Sequence, residues 1–260
     1  EEHKVELLKA SGFNAIRCAH NPPAPAMLDA CDRLGMLVMD EAFDCWRIGK
    51  NPYDYHIVFD DWWQRDLESM VYRDRNHPSI ILWSIGNEVV ERDGRSGGIH
   101  IARMLAERVR QQDPSRPVSS AINGVWDRLY TWEDTDLVFD QLDVGGYNYL
   151  WRNYCLDHQR NPDRIMVGTE SFPIEAFDNW QAVLENPYVI GDFVWTSLDY
   201  LGESGIGRVH FGETSFLGEY PWHQANCGDL DLCGFKRPQS FYRDMVWKNG
   251  HPLYIAVNTP

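Results

Sequence analysis

The chain has 260 residues, of which 43% are hydrophobic, and its formal net charge is −15. This apolar content is typical of a folded globular protein and excludes global disorder. The negative charge disfavours nucleic acid as a partner, because phosphate backbones repel an acidic protein. No apolar run approaches the roughly 18 residues of a membrane-spanning helix, so we expect no membrane partner.

Apolar runs and amphipathic stretches alternate along the chain, which predicts strands and helices in turn. In chain order the predicted elements are a helix over Glu2–Ser11, a strand over Phe13–His20, a helix over Pro25–Leu34, a strand over Met36–Phe43, a helix over Asp60–Asn76, a strand over Ile80–Glu88, a helix over Gly98–Gln111, a strand over Pro117–Asn123, a helix over Trp132–Gln141, strands over Asp143–Leu150 and Arg164–Phe172, a helix over Ile174–Glu185, a strand over Tyr188–Tyr200, a loop over Gly202–Arg237, a helix over Pro238–Trp247 and an extended segment over His251–Val257.

This alternation predicts an α/β fold with a parallel sheet covered by helices on both faces. A (β/α)8 TIM barrel and an open doubly wound sheet both fit the pattern. The barrel is favoured, because no glycine-rich phosphate turn follows a strand and polar residues cluster at the carboxyl ends of strands. No linker interrupts the chain, so residues 1–260 are predicted to form a single domain.

The six cysteines show no spacing typical of a metal site. Cys227 and Cys233 lie close enough in sequence to close a loop by a disulfide. Scattered free thiols are the alternative, and the one that we favour.

Polar residues end three of the apolar strands, in the segments Asn14–Pro23, Asp74–Glu88 and Val167–Pro173. A buried core would not accept these groups unpaired, so they predict a site. Glu88 and Glu170 lie on different strand ends and can face each other across a barrel mouth, which is the arrangement that glycoside hydrolysis needs.

These segments closely resemble glycoside hydrolase family 2, which includes the β-galactosidases, β-glucuronidases and β-mannosidases. Arg75 to Glu88 matches the long acid/base signature of that family, and Asn14 to His20 matches its second signature. The resemblance extends over essentially the whole chain.

The resemblance implies roles for the residues that match. Glu88 would be the proton donor and then the base, and Glu170 would be the nucleophile that forms a covalent intermediate. Asn87 would bind the sugar 2-hydroxyl. A retaining mechanism of this kind predicts a carboxylate separation of about 5–5.5 Å.

Supporting substrate-binding residues follow from the same resemblance. His20 would contact the sugar ring, although a histidine satisfied by loop carbonyls is the alternative. Arg17 would orient the nucleophile or form a purely structural ion pair. Trp195 would form the floor of the sugar site, unless it belongs to the barrel core.

One tyrosine of the strand after Asp143 should reach Glu170, and Tyr149 matches the family position better than Tyr147. Asp40 and Glu41 are expected to support the site as polar groups around the substrate-binding residues.

Two departures from the family carry expectations. No strand precedes the first helix, so the barrel is predicted to lack its first strand and the chain to be a fragment of a longer enzyme that has N-terminal β-domains. Such a fragment is expected to have low activity and to be prone to association. At the positions where the best-known galactosidases bind magnesium, this chain has Cys45 and Arg47. Arg47 cannot ligate a cation, so we expect no metal and no cofactor.

A β-galactoside is the favoured substrate, with β-glucuronides and β-mannosides as alternatives. The Asn-x-Lys pattern by which glucuronidases bind the uronate is missing after Glu170. Two other hypotheses stay open: a carbohydrate-binding fragment that is catalytically weak, and a metal-dependent hydrolase. The second would use the ligands His20, His77, Asp40 and Glu41.

Overall fold

The structure, a computed structural model, describes residues 1–94, 96–124, 131–202, 205–208, 218, 221–248 and 253–255. Within these residues a parallel sheet of seven strands has the order β1 to β7, and β8 and β9 form a separate antiparallel pair. The strands are β1 (Ala15–Arg17), β2 (Leu37–Glu41), β3 (Ile80–Asn87), β4 (Val118–Ile122), β5 (Val144–Asn148), β6 (Ile165–Glu170), β7 (Val189–Asp192), β8 (Tyr200–Leu201) and β9 (Gln224–Ala225).

Helices alternate with the parallel strands and cover the outer face of the sheet. They are α1 (Glu2–Ala10), α2 (Pro25–Leu34), α3 (Phe59–Asp74), α4 (Gly98–Gln112), α5 (Asp136–Phe139), α6 (Tyr154–Arg160), α7 (Ala176–Glu185) and α8 (Pro238–Val246). Among the described residues, no helix is long and apolar enough to cross a bilayer.

Local sequence explains where these elements begin, end and pack. α2 has Pro25 in its first turn and ends at Gly35, whose φ of 68° lies in the left-handed region that glycine adopts without strain. α4 buries Ile101, Leu105 and Val109, which are spaced to share one helical face. Apart from the partly exposed Ile81, the residues of β3 are buried, as expected of a strand in a sheet that is covered on both faces.

The parallel sheet is curled, as a contact between β1 and β6 shows. The guanidinium of Arg17 on β1 donates a hydrogen bond to Glu170 at the carboxyl end of β6. Each parallel strand pairs with the next one in sequence. The architecture is therefore a truncated TIM barrel, as the alternation of strands and helices predicts, and its polar strand ends meet on the concave side.

Two sequence predictions differ from the structure. Helix α6 was not predicted. The strand predicted over Tyr188–Tyr200 ends at Asp192, since Leu198 pairs instead with Leu230 in the following loop. The cysteine thiols are all free, which is the alternative that the sequence favoured over a disulfide between Cys227 and Cys233. Most of the extended segment predicted over residues 251–257 lies outside the described residues.

Candidate active site

The carboxyl ends of the parallel strands bring polar side chains together on the concave side of the sheet. Each of these residues follows or ends an apolar strand, so its backbone is fixed by the sheet while its side chain faces inward. They are Arg17 on β1, Glu41 on β2, Asn87 on β3, Asn148 on β5 and Glu170 on β6. Glu88 and Tyr149 follow β3 and β5 directly.

Glu170 is a buried carboxylate with a donor on each oxygen. Arg17 Nη1 donates to Oε1 at 2.8 Å, and the Tyr149 hydroxyl donates to Oε2 at 2.6 Å. Burial and the charge of Glu170 raise the pKa of Tyr149, so its hydroxyl keeps the proton that it donates. The carboxylate is therefore held in one orientation by two neighbours.

Glu88 is a carboxyl group whose pKa is raised. Burial is the largest cause, and the charge of Glu170 adds to it, whereas the hydrogen bond from Asn148 and the charges of Lys50 and His20 act in the opposite direction. Asn148 Nδ2 donates to Glu88 Oε1 at 2.9 Å. Glu88 thus holds its proton at a higher pH than an ordinary glutamic acid, which is what a general acid requires.

Arg17 links the two sides of the site. Its Nε and Nη2 donate to the two oxygens of Glu41 at 2.9 and 2.8 Å, and its Nη2 also donates to Asn87 Oδ1 at 2.8 Å. Although burial disfavours its charged form, Glu41 and Glu170 raise the pKa of Arg17. For Glu41 burial alone would raise the pKa, but Arg17 and His20 lower it to about 2. This paired cation fixes the position of Glu170.

Asn148 and Asp44 belong to the site but were not singled out from sequence. Asn148 Nδ2 also donates to Asn87 Oδ1 at 3.1 Å, and Asn87 Nδ2 donates to Asp44 Oδ1 at 3.0 Å. The signal for Asn148 was present, since it is a polar residue at the carboxyl end of an apolar strand. Asp44 lies in a loop, where no strand pattern indicates its direction.

His20 and Trp195 lie together beside Glu41 and Glu170. Their rings stack with centroids 5.1 Å apart and planes 5° apart. His20 Nδ1 lies 3.0 Å from Glu41, and its Nε2 lies 3.9 Å from Glu170. Trp195 lines a cavity of about 210 Å³ that Arg17 also lines. A flat ring beside a polar cluster is suited to stacking on the apolar face of a sugar.

Comparison with known proteins identifies the family to which this barrel is similar. Residues 2–203 match the family described as "Glycosyl hydrolases family 2, TIM barrel domain". The chain belongs to glycosyl hydrolase family 2. A family 2 member from Bacteroides cellulosilyticus aligns with a TM-score of 0.86 and 49% identity, over 95% of this chain and 31% of that one.

Relatives of this family 2 barrel include proteins named as β-galactosidases and proteins named as β-glucuronidases. A β-galactosidase from Bacteroides ovatus is 30% identical over 98% of this chain and 37% of its own length. A β-glucuronidase from Chlorocebus aethiops is 27% identical over 78% of this chain and 36% of its own length. The chain therefore spans little more than a third of the length of these relatives.

Two residues predicted for the substrate site lie elsewhere in this family 2 barrel. The Tyr147 hydroxyl donates to Asp157 on α6 at 2.8 Å, so Tyr147 belongs to the helix layer. Asp40 is fully buried on the face of β2 opposite to Glu41, where burial and the neighbouring Asp74 raise its pKa to about 9. Successive side chains of a strand point to opposite faces, which excludes Asp40 from the side that Glu41 occupies.

The positions that hold magnesium in some members of family 2 do not fit a cation here. Burial and the neighbouring Asp54 raise the pKa of Cys45 to about 12, so its thiol keeps its proton. Arg47 donates to Asp60 instead. Across the part of the chain that the structure describes, no group of three or more His, Cys, Asp or Glu side chains is placed to hold a metal ion. His77, a ligand in the metal-hydrolase hypothesis, is hydrogen-bonded to Asp32.

Proposed function

We propose that this family 2 barrel hydrolyses terminal β-glycosides with retention of anomeric configuration. The observation that carries the proposal is the pairing of unlike carboxyl groups. Glu170 has donors on both oxygens, whereas Glu88 is buried and its pKa is raised in part by the charge of Glu170. Retaining glycosidases use one carboxylate as nucleophile and one carboxylic acid as proton donor.

In the first step a carboxylate oxygen of Glu170 attacks the anomeric carbon, and the glycosidic C–O bond breaks. Glu88 gives its proton to the departing oxygen. An ester between Glu170 and the sugar results, and the Glu88 carboxylate is left ionised. Asn87, whose amide oxygen accepts hydrogen bonds from Arg17 and Asn148, would hydrogen-bond the sugar 2-hydroxyl.

In the second step water attacks the same carbon, Glu88 removes its proton, and the ester bond breaks. Esterification removes the charge of Glu170, and with it one cause of the raised pKa of Glu88. Glu88 is therefore a stronger acid in the covalent intermediate than in the free enzyme. The same side chain can then act as acid in one step and as base in the next.

For the substrate we propose a β-galactoside. The name of the Bacteroides ovatus relative supports this choice, and that relative aligns with nearly the whole chain. The sequence after Glu170 also offers no Asn-x-Lys segment for a uronate. A β-glucuronide or a β-mannoside is the alternative.

Two measurements on the wild-type chain test the proposal. Nitrophenyl β-galactoside, β-glucuronide and β-mannoside are compared as substrates, and the first-formed anomer is identified by ¹H NMR. We expect turnover of the galactoside above the other two, with the β-anomer formed first. Formation of the α-anomer first would exclude the double displacement, and a preference for the glucuronide would correct the substrate alone.

A further inference from the structure

A lysine in the loop that follows β2 is joined to the site by hydrogen bonds. Lys50 Nζ donates to Asp44 Oδ1 at 2.6 Å. The same carboxylate oxygen accepts a hydrogen bond from Asn87 Nδ2 at 3.0 Å. Asp44 therefore joins the ammonium group of Lys50 to the residue immediately before Glu88.

The loop is built to hold Lys50 in place. Asp54 Oδ2 accepts hydrogen bonds from the backbone N–H groups of Lys50 and Asn51, both at 2.8 Å. Gly49 packs against the ring of His56 so closely that a Cβ atom at Gly49 would lie 2.3 Å from Nδ1 of that ring. About a quarter of the Lys50 side chain is exposed, and 42% of the Asp44 side chain.

Lys50 is one of several charges that act on Glu88. Glu170 disfavours ionisation of Glu88, whereas Lys50 and His20 favour it. Tyr149 faces the same carboxyl group but keeps its proton. The other nearby cation, Arg17, is committed to Glu41 and Glu170 by ion pairs of 2.8 Å.

We propose that Lys50, clamped by Asp44, is a positioning residue for the acid/base group: it supplies a built-in positive charge beside Glu88 and orients Asn87 through the shared carboxylate. The proposal rests on the proposed function of Glu88.

The charge has a chemical consequence in the first step. Glu88 becomes ionised when it gives up its proton, and a neighbouring ammonium group stabilises the carboxylate that forms. Lys50 thus limits how far burial and Glu170 raise the pKa of Glu88.

The test is the pH dependence of kcat/KM for a nitrophenyl β-galactoside, measured for the wild-type chain and for Lys50→Met, with Lys50→Arg as the matched control. The alkaline limb reports the proton on Glu88 in the free enzyme. We expect Lys50→Met to move this limb upward by about 0.5–1 pH unit. Lys50→Arg should leave it in place.

Asp44→Asn keeps an acceptor oxygen but removes a negative charge, so it should move the limb downward. Limbs that coincide in all four proteins would overturn the proposal even if the absolute rates fall, since a purely structural loop affects rates without displacing a pKa. Failure of the proposed function is distinguishable, because the wild-type chain would then show no turnover at any pH.

Discussion

At the residue scale, Tyr147 on β5 and Tyr149 directly after it have different hydrogen-bond partners. The Tyr149 hydroxyl donates to Glu170 at 2.6 Å, whereas the Tyr147 hydroxyl donates to Asp157 in the helix layer. A hydrogen bond to a charged group contributes about 1.5–3 kcal/mol. We therefore expect Tyr149→Phe to lower kcat on a nitrophenyl β-galactoside by about 10–100-fold.

Tyr147→Phe is the matched control for that change. It removes the same atom from a buried site but touches no catalytic group, so we expect kcat to stay within about twofold. Thermal unfolding should instead show a loss of about 1 kcal/mol of stability. An equal loss of kcat in both variants would contradict the separate roles of the two residues.

Sequence motifs predicted several of the residues that the structure brings together, but not all of them. Glu88, Glu170 and Arg17 follow from matched signatures, and the structure brings them together. The choice between the tyrosines was harder, since positions i and i+2 of a regular strand share a face. Tyr149 has a φ of +63°, which turns its side chain away from the direction of Tyr147. No sequence pattern predicts that a tyrosine at this position has a positive φ.

At the scale of elements, β2 directs the carboxyl group of Glu41 to the site and that of the preceding residue, Asp40, to the opposite face. Burial and Asp74 raise the pKa of Asp40 to about 9, while its value in an unfolded chain is near 4. A raised carboxyl pKa gives a stability contribution that is full below the unfolded value and is lost as pH rises toward 9. Asp40→Asn should therefore raise the Tm relative to wild type more at pH 8 than at pH 5. A constant difference between these pH values would contradict a protonated Asp40.

The long buried strands and the amphipathic helices were the predictable elements. β3 is a continuous apolar run, and α4 repeats its buried residues at helical spacing. Helix α6 spans Tyr154–Arg160, which is two turns with few apolar residues, so its periodicity is too short to detect. The segment after Asp192 is apolar enough for a strand, but its partner is a loop far along the chain.

At the scale of the whole molecule, the sheet has two edges. Among the described residues, β1 and β7 each pair with a strand on one side only. Ile190 on β7 is 53% exposed, and an open apolar edge favours pairing between molecules. We expect the chain to self-associate with rising concentration in sedimentation velocity, and Ile190→Lys to reduce that association. A wild-type chain that stays monomeric at every concentration would contradict this expectation.

The alternation of strands and helices predicted a parallel sheet covered by helices, and the polar residues at the carboxyl ends of the strands favoured a TIM barrel over an open doubly wound sheet. The alternation alone did not predict how close β1 lies to β6 across the concave side of the sheet. It depends on the curl of the sheet, which the Arg17–Glu170 ion pair of 2.8 Å makes visible.

The central claim is that Glu170 is the nucleophile and Glu88 its proton donor. The most direct test is to incubate the chain with a 2-deoxy-2-fluoro-β-galactoside bearing an activated leaving group and to map the product by peptide mass spectrometry. We expect one fluoro-sugar attached to the peptide that contains Glu170, and no attachment in Glu170→Gln. Stable labelling of a different carboxylate, or labelling that persists in Glu170→Gln, would contradict it.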